Sequence, residues 1–141
     1  MRRLYKYLPP GQLRTAELLV RQNNESVCSA LQKQEEYLHE LSRVSTMNEN
    51  PTAWMRFYKP YTGQEWYLLM LTDKDVFCLY YNGSFRERVY SLDLLRMISG
   101  IVLDIHWVPQ TIEWIQNNHQ DCDVVDGRKI SYKSLMLKEH K

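Results

Sequence analysis

The chain reads as an α+β protein: an antiparallel sheet of about five strands, helices mainly on one face, and an N-terminal helical extension. Three observations predict this. Apolar residues recur at helical spacing up to about residue 44 and alternate as in strands from about residue 53. Two turn sequences, Lys59-Pro60-Tyr61-Thr62-Gly63 and Asn82-Gly83, interrupt the second region at hairpin spacing. Ser91, Gly100 and Pro109 then divide the C-terminal third into short helices and a closing strand.

Pro9-Pro10-Gly11 sets a short basic arm apart from a helix over 12–22, with Leu13, Ala16, Leu19 and Val20 on one side. Asn23-Asn24-Glu25-Ser26 breaks it, and Ser26 is the predicted N-cap of a second helix, about 27–44. Its stripe is Val27, Ala30, Leu31, Gln34, Tyr37, Leu38, Leu41 and Val44; Glu35, Glu36, Glu40 and Arg43 fall outside it. That stripe docks on the sheet, pairs with the first helix, or pairs with another copy of the chain. A polar stretch over 45–51 then divides a helical extension (1–48) from a sheet domain (49–141), the two forming one compact unit.

The predicted strands are Ala53–Tyr58, Glu65–Thr72, Asp75–Tyr81 and Ser84–Tyr90. The second is apolar on both faces, Trp66, Leu68 and Met70 against Tyr67, Leu69 and Leu71, as in a strand covered on both sides. Asn82-Gly83 predicts a type I′ turn, because both residues tolerate positive φ. Ser91 caps a helix over Leu92–Ile98 that Gly100 ends; a fifth strand spans 101–107; Pro109 opens a helix to about 118. Asp126-Gly127 predicts a last hairpin between Cys122–Val125 and Arg128–Tyr132.

Composition narrows function by exclusion. No apolar stretch approaches the ~20 residues that cross a bilayer. The three cysteines, Cys28, Cys78 and Cys122, form no CxxC pair and no secretory leader precedes them, so the expectation is a cytoplasmic protein with reduced thiols. The net charge of +1 is segregated: +4 over residues 1–22, +4 over 127–141 and −7 between. Basic termini permit nucleic-acid binding through Arg2, Arg3, Lys6, Arg128, Lys129 and Lys133, or pairing with the acidic body. Ten tyrosines fit either an aromatic-packed sheet or a contact surface.

Side chains with catalytic or metal-binding chemistry are scattered. On the predicted fifth strand Asp104 and His106 share a face, enough to orient an imidazole. A hydrolase would also need an activated nucleophile, and no Gly-x-Ser-x-Gly elbow is present. His119-x-x-Cys122 among Asp121, Asp123 and Asp126 lacks zinc spacing and is out of step with a calcium loop. Glu65, Asp73, Asp75 and Glu87 sit where strands meet turns, the usual place for solvated charge. Glycine is too sparse for a phosphate cradle, and no cofactor or metal is implied. On the fourth strand Arg86 and Arg88 share a face with Tyr90, a composition suited to an interface anchor.

Residues 57–112 carry a serial pattern: Tyr58-Lys59-Pro60, Trp66-Tyr67, Asp73 to Asp75, Phe77, Tyr90-Ser91-Leu92-Asp93-Leu94-Leu95, and Asp104-Ile105-His106-Trp107-Val108-Pro109. In order and spacing it resembles a family of small proteins, known only as a domain of unknown function, from plasmids, integrative elements and phages. Two departures stand out. Leu103 replaces an Arg that often precedes the closing Asp, and a Leu-Gly pair before the Ser-Leu joint is absent. The resemblance implies a mobile-element origin and no reaction. Expected from this is a non-enzymatic accessory protein that binds a host protein complex, such as a CRISPR or restriction defence system. Arg86, Arg88, Tyr90, Tyr81, Glu35, Glu36 and Glu40 are its candidate contact residues. The alternatives are nucleic-acid binding by the basic termini and a small hydrolase using Asp104 and His106.

Overall fold

The structure, a computed structural model, describes residues 2–119, 122–125 and 128–131, with side chains over 3–119. Helices α1 (Arg2–Tyr5), α2 (Pro10–Arg21) and α3 (Glu25–Arg43) come first. Pro10 opens α2 at a position whose N–H would lack an intrahelical partner anyway. Asn23 turns the chain between α2 and α3 at φ 55°, a left-handed conformation that Asn tolerates. Asn24, rather than Ser26, caps α3: its Oδ1 accepts the Val27 N–H at 3.1 Å. The helix begins at Glu25, two residues earlier than the apolar stripe indicates, which places Ser26 inside the first turn.

Five antiparallel strands form the main sheet. They are β2 (Met55–Lys59), β3 (Gln64–Leu71), β4 (Asp75–Tyr81), β5 (Phe85–Ser91) and β6 (Val102–Leu103), in the order β5-β4-β3-β2-β6. The expected first strand is split. Trp54 donates its N–H to the Leu68 carbonyl, while β1 (Thr52–Ala53) leaves to pair with β7 (Gln110–Thr111). A bulge between Leu68 and Met70 breaks the alternation in β3, so Leu71 packs on the Trp66 face and not, as expected, with Tyr67. The β4–β5 hairpin forms as expected, but its turn is not type I′. Tyr81 pairs with Phe85, leaving Asn82, Gly83 and Ser84 in the loop, and of these only Gly83 has positive φ.

The last third departs most from expectation. Helix α4 is shorter, Leu92–Leu95, and Ser91 precedes it without a side-chain capping bond. The fifth strand is only β6, because Asp104 Oδ1 accepts the His106 N–H at 3.0 Å and turns the chain out of the sheet. Helix α5 (Ile112–His119) starts after Thr111, whose Oγ1 accepts the Trp114 N–H, and Asn50 Oδ1 takes that of Glu113; Pro109 lies outside it. Strands β8 (Cys122–Val125) and β9 (Arg128–Ser131) pair antiparallel as expected; Asp126, Gly127, Tyr132 and Lys133 lie outside the described residues.

Each sheet face has its own core. Helices α1–α3 cover the face of Met55, Phe57, Trp66, Leu68 and Cys78. Ile115 of α5 covers the opposite face, with Ala53, Tyr67, Leu69 and Leu79. The stripe of α3 is spent inside the chain: Ala30, Leu31, Gln34, Leu38 and Leu41 are buried, so it does not present a face for pairing with another copy. The N-terminal arm is also core, with Leu4 and Leu8 at 0% exposure.

Candidate functional site

The only buried constellation of opposite charges among the described residues lies on the α5 side of the sheet. Arg56 on β2 and Glu65 on β3 are each 1% exposed, and their side chains meet at 2.7 Å. The second arm of Arg56 reaches Asp104, after β6, at 2.8 Å. Tyr67, beside Arg56 in the β2–β3 register, donates its hydroxyl to Glu65 Oε2 at 2.7 Å. His119, the last residue of α5, brings Nε2 within 2.5 Å of the same oxygen. Four separate segments thus meet on one carboxylate and one guanidinium.

The physics of this cluster is mutual compensation. Burial disfavours the charged form of Arg56, yet the adjoining Glu65, with Tyr67 and Asp104, holds its pKa above the ordinary value. Burial, reinforced by the Glu65 charge, pushes the Tyr67 phenol far up, so it stays a hydrogen-bond donor. The Arg56 guanidinium also lies over the Tyr58 ring, 4.6 Å from its centroid. A buried carboxylate with a single partner would be costly; here both oxygens are engaged.

Glu65 is therefore not the solvated turn residue the sequence indicates. Its position at the start of β3 is central because β2 and β4 flank it, with Tyr58 and Tyr81 directly across. The expected Asp104–His106 pair does not form. Asp104 bonds the backbone of His106 and the side chain of Arg56, while the His106 side chain is exposed in the turn. The carboxylate-held imidazole is His119 instead. Arg56 and Tyr67 carried no functional signal in the sequence; a lone Arg within an apolar strand was the available clue.

The candidate contact residues divide into two sets and one outlier. Arg86, Arg88 and Tyr90 share a face of β5, at the edge of the sheet, and both arginines are exposed. Tyr81 pairs with Phe85 and so lies on the opposite face, its ring centroid 3.8 Å from that of His119. Glu35, Glu36 and Glu40 lie along α3 and line a groove with Arg3, Tyr37, His39 and Trp54. Glu35 also accepts the backbone N–H of Leu4 at 2.8 Å. Of the basic termini, Arg3 belongs to this acidic groove, Arg2 and Lys6 belong to or follow α1, and Arg128 and Lys129 lie on β9.

No helix among the described residues is long and apolar enough to cross a membrane. Among the same residues no group of three or more His, Cys, Asp or Glu is placed to hold a metal ion. Comparison with protein-family models, curated proteins and solved structures gave no match.

Proposed function

We propose that this chain is a non-enzymatic binding protein, an accessory factor of a phage or mobile element that occupies a host protein complex, such as a CRISPR or restriction system. One observation carries the docking reading. Strand β5 ends the sheet order, and its residues Arg86, Glu87, Arg88 and Val89 are all exposed. An edge strand offers its outer backbone groups to another strand, and alternate side chains then supply specificity. Arg86 and Arg88 on one face favour an extended partner segment with carboxylates two residues apart. The mobile-element assignment rests on the resemblance over residues 57–112.

The buried cluster fits the same reading. Arg56, Glu65 and Asp104 are committed to one another and tie the chain's segments together, a bracing role that needs no substrate. The experiment is affinity capture from a bacterial host lysate with mass identification, comparing the native chain with the Arg86→Glu/Arg88→Glu variant. Both side chains are exposed, so the variant keeps its thermal midpoint. Expected is a roughly tenfold or greater loss of the captured complex. Equal capture by both would remove β5 as the docking strand. A gel-shift with DNA, titrated with salt, tests the nucleic-acid alternative in parallel, because phosphate neutralisation makes binding fall steeply with ionic strength.

A further inference from the structure

Strand β5 carries charges that the sheet itself does not answer. Its inner neighbour β4 sets Tyr80, Leu79 and Cys78 directly across from Arg86, Glu87 and Arg88, so no opposite charge faces them there. Among the described residues none of the three forms an ion pair. All three are exposed, and Val89 beside them is 54% exposed. Side chains alternate along a strand, so Arg86 and Arg88 mark one face while Glu87 and Val89 mark the other. The outer edge of β5 therefore offers a fixed order of charge on two faces to any strand added there.

That order rejects a second copy of the chain. Two β5 strands joined antiparallel about a two-fold axis pair residues at equal distances from the centre. A centre at Glu87 opposes Glu87 to itself and Arg86 to Arg88; a centre at either arginine opposes that arginine to itself. Like charges directly opposite are destabilising. A centre at Val89 carries Arg86 past the end of the strand, against Leu92 of α4. We infer that the edge takes instead an antiparallel segment of a different protein, with the side-chain order apolar, acidic, basic, acidic opposite Val89, Arg88, Glu87 and Arg86. This rests on β5 being the docking strand proposed above, and it names the partner's chemistry on both faces. The acids answer the two arginines, the base answers Glu87, and the apolar side chain covers Val89. Antiparallel pairing continues the rest of the sheet and sets opposed side chains side by side.

The test titrates two short capped peptides into the nitrogen-15-labelled full chain. They share composition and net charge and differ only in order: valine–aspartate–lysine–aspartate or valine–lysine–aspartate–aspartate, each between threonines. Expected are backbone amide shifts centred on β5, with the first peptide binding roughly tenfold tighter than the second. The variant Arg86→Glu/Glu87→Lys/Arg88→Glu, changed only at exposed positions, reverses that preference. Equal binding of the two peptides at β5 overturns the inferred order and leaves edge docking itself standing. No β5 shift with either peptide at millimolar concentration overturns both. A dimer by light scattering whose β5 amides are protected from exchange puts a second copy on the edge, and it too overturns the inference.

Discussion

Arg56 is the residue whose surroundings most constrain the molecule. Its guanidinium is buried, holds Glu65 and Asp104, and leaves Nε without a partner. Removing one member of such a pair leaves the opposite charge buried and uncompensated, which outweighs the worth of the pair itself. Arg56→Met should therefore destabilise the chain by about 3–5 kcal/mol, read as a lower urea midpoint. A loss below about 1 kcal/mol would mean that Tyr67 and His119 neutralise Glu65 well enough alone. The sequence offered only its place as a lone Arg within an apolar strand to separate it from a surface one. Period-two patterning says which face a side chain takes, but the polarity of that face depends on α5 and the turn after β6 closing over it.

At the level of elements, polar side chains do much of the joining. Gln12 on α2 gives its amide to the Leu103 carbonyl and takes the Leu103 N–H, both at 2.8 Å, and so stands in for a neighbouring strand at the β6 edge. Gln34 on α3 donates to the carbonyls of Ile105 and Trp107, which fixes the turn after β6. Asn24 at the start of α3 tests how far such local bonds matter. Asn24→Ala should lower the thermal midpoint by an amount equivalent to about 1 kcal/mol, with Ser26→Ala near neutral. The reverse ranking would restore Ser26 as the cap. Strands β3, β4 and β5 were legible because alternation and turn residues agree over most of their length. The limits of strand β6 and helix α5 were not, since side-chain bonds from Asp104, Thr111 and Asn50 set them.

Over the whole molecule, the N-terminal segment belongs to the fold rather than decorating it. Leu4 and Leu8 are fully buried against the helical layer, and Arg96 donates to the Lys6 carbonyl from the far side of the sequence. Leu4→Ala should cost about 2–5 kcal/mol by denaturant unfolding, the range for a core cavity. A negligible effect would return residues 1–8 to the status of an arm. The charge segregation is also uneven in space: Arg3 lines the same groove as Glu35, Glu36 and Glu40.

The sequence alone determined the α+β class, the central hairpins, the apolar stripe of α3 and the shared face of Arg86, Arg88 and Tyr90. These follow from periodicity and turn chemistry, which act over a few residues. Tertiary structure decided that Glu65 is buried, that its imidazole partner is His119 rather than any pairing of Asp104 with His106, and that Tyr81 faces away from the arginines. Such contacts join segments far apart along the chain, where spacing carries no information and only the packing of the layers brings the groups together.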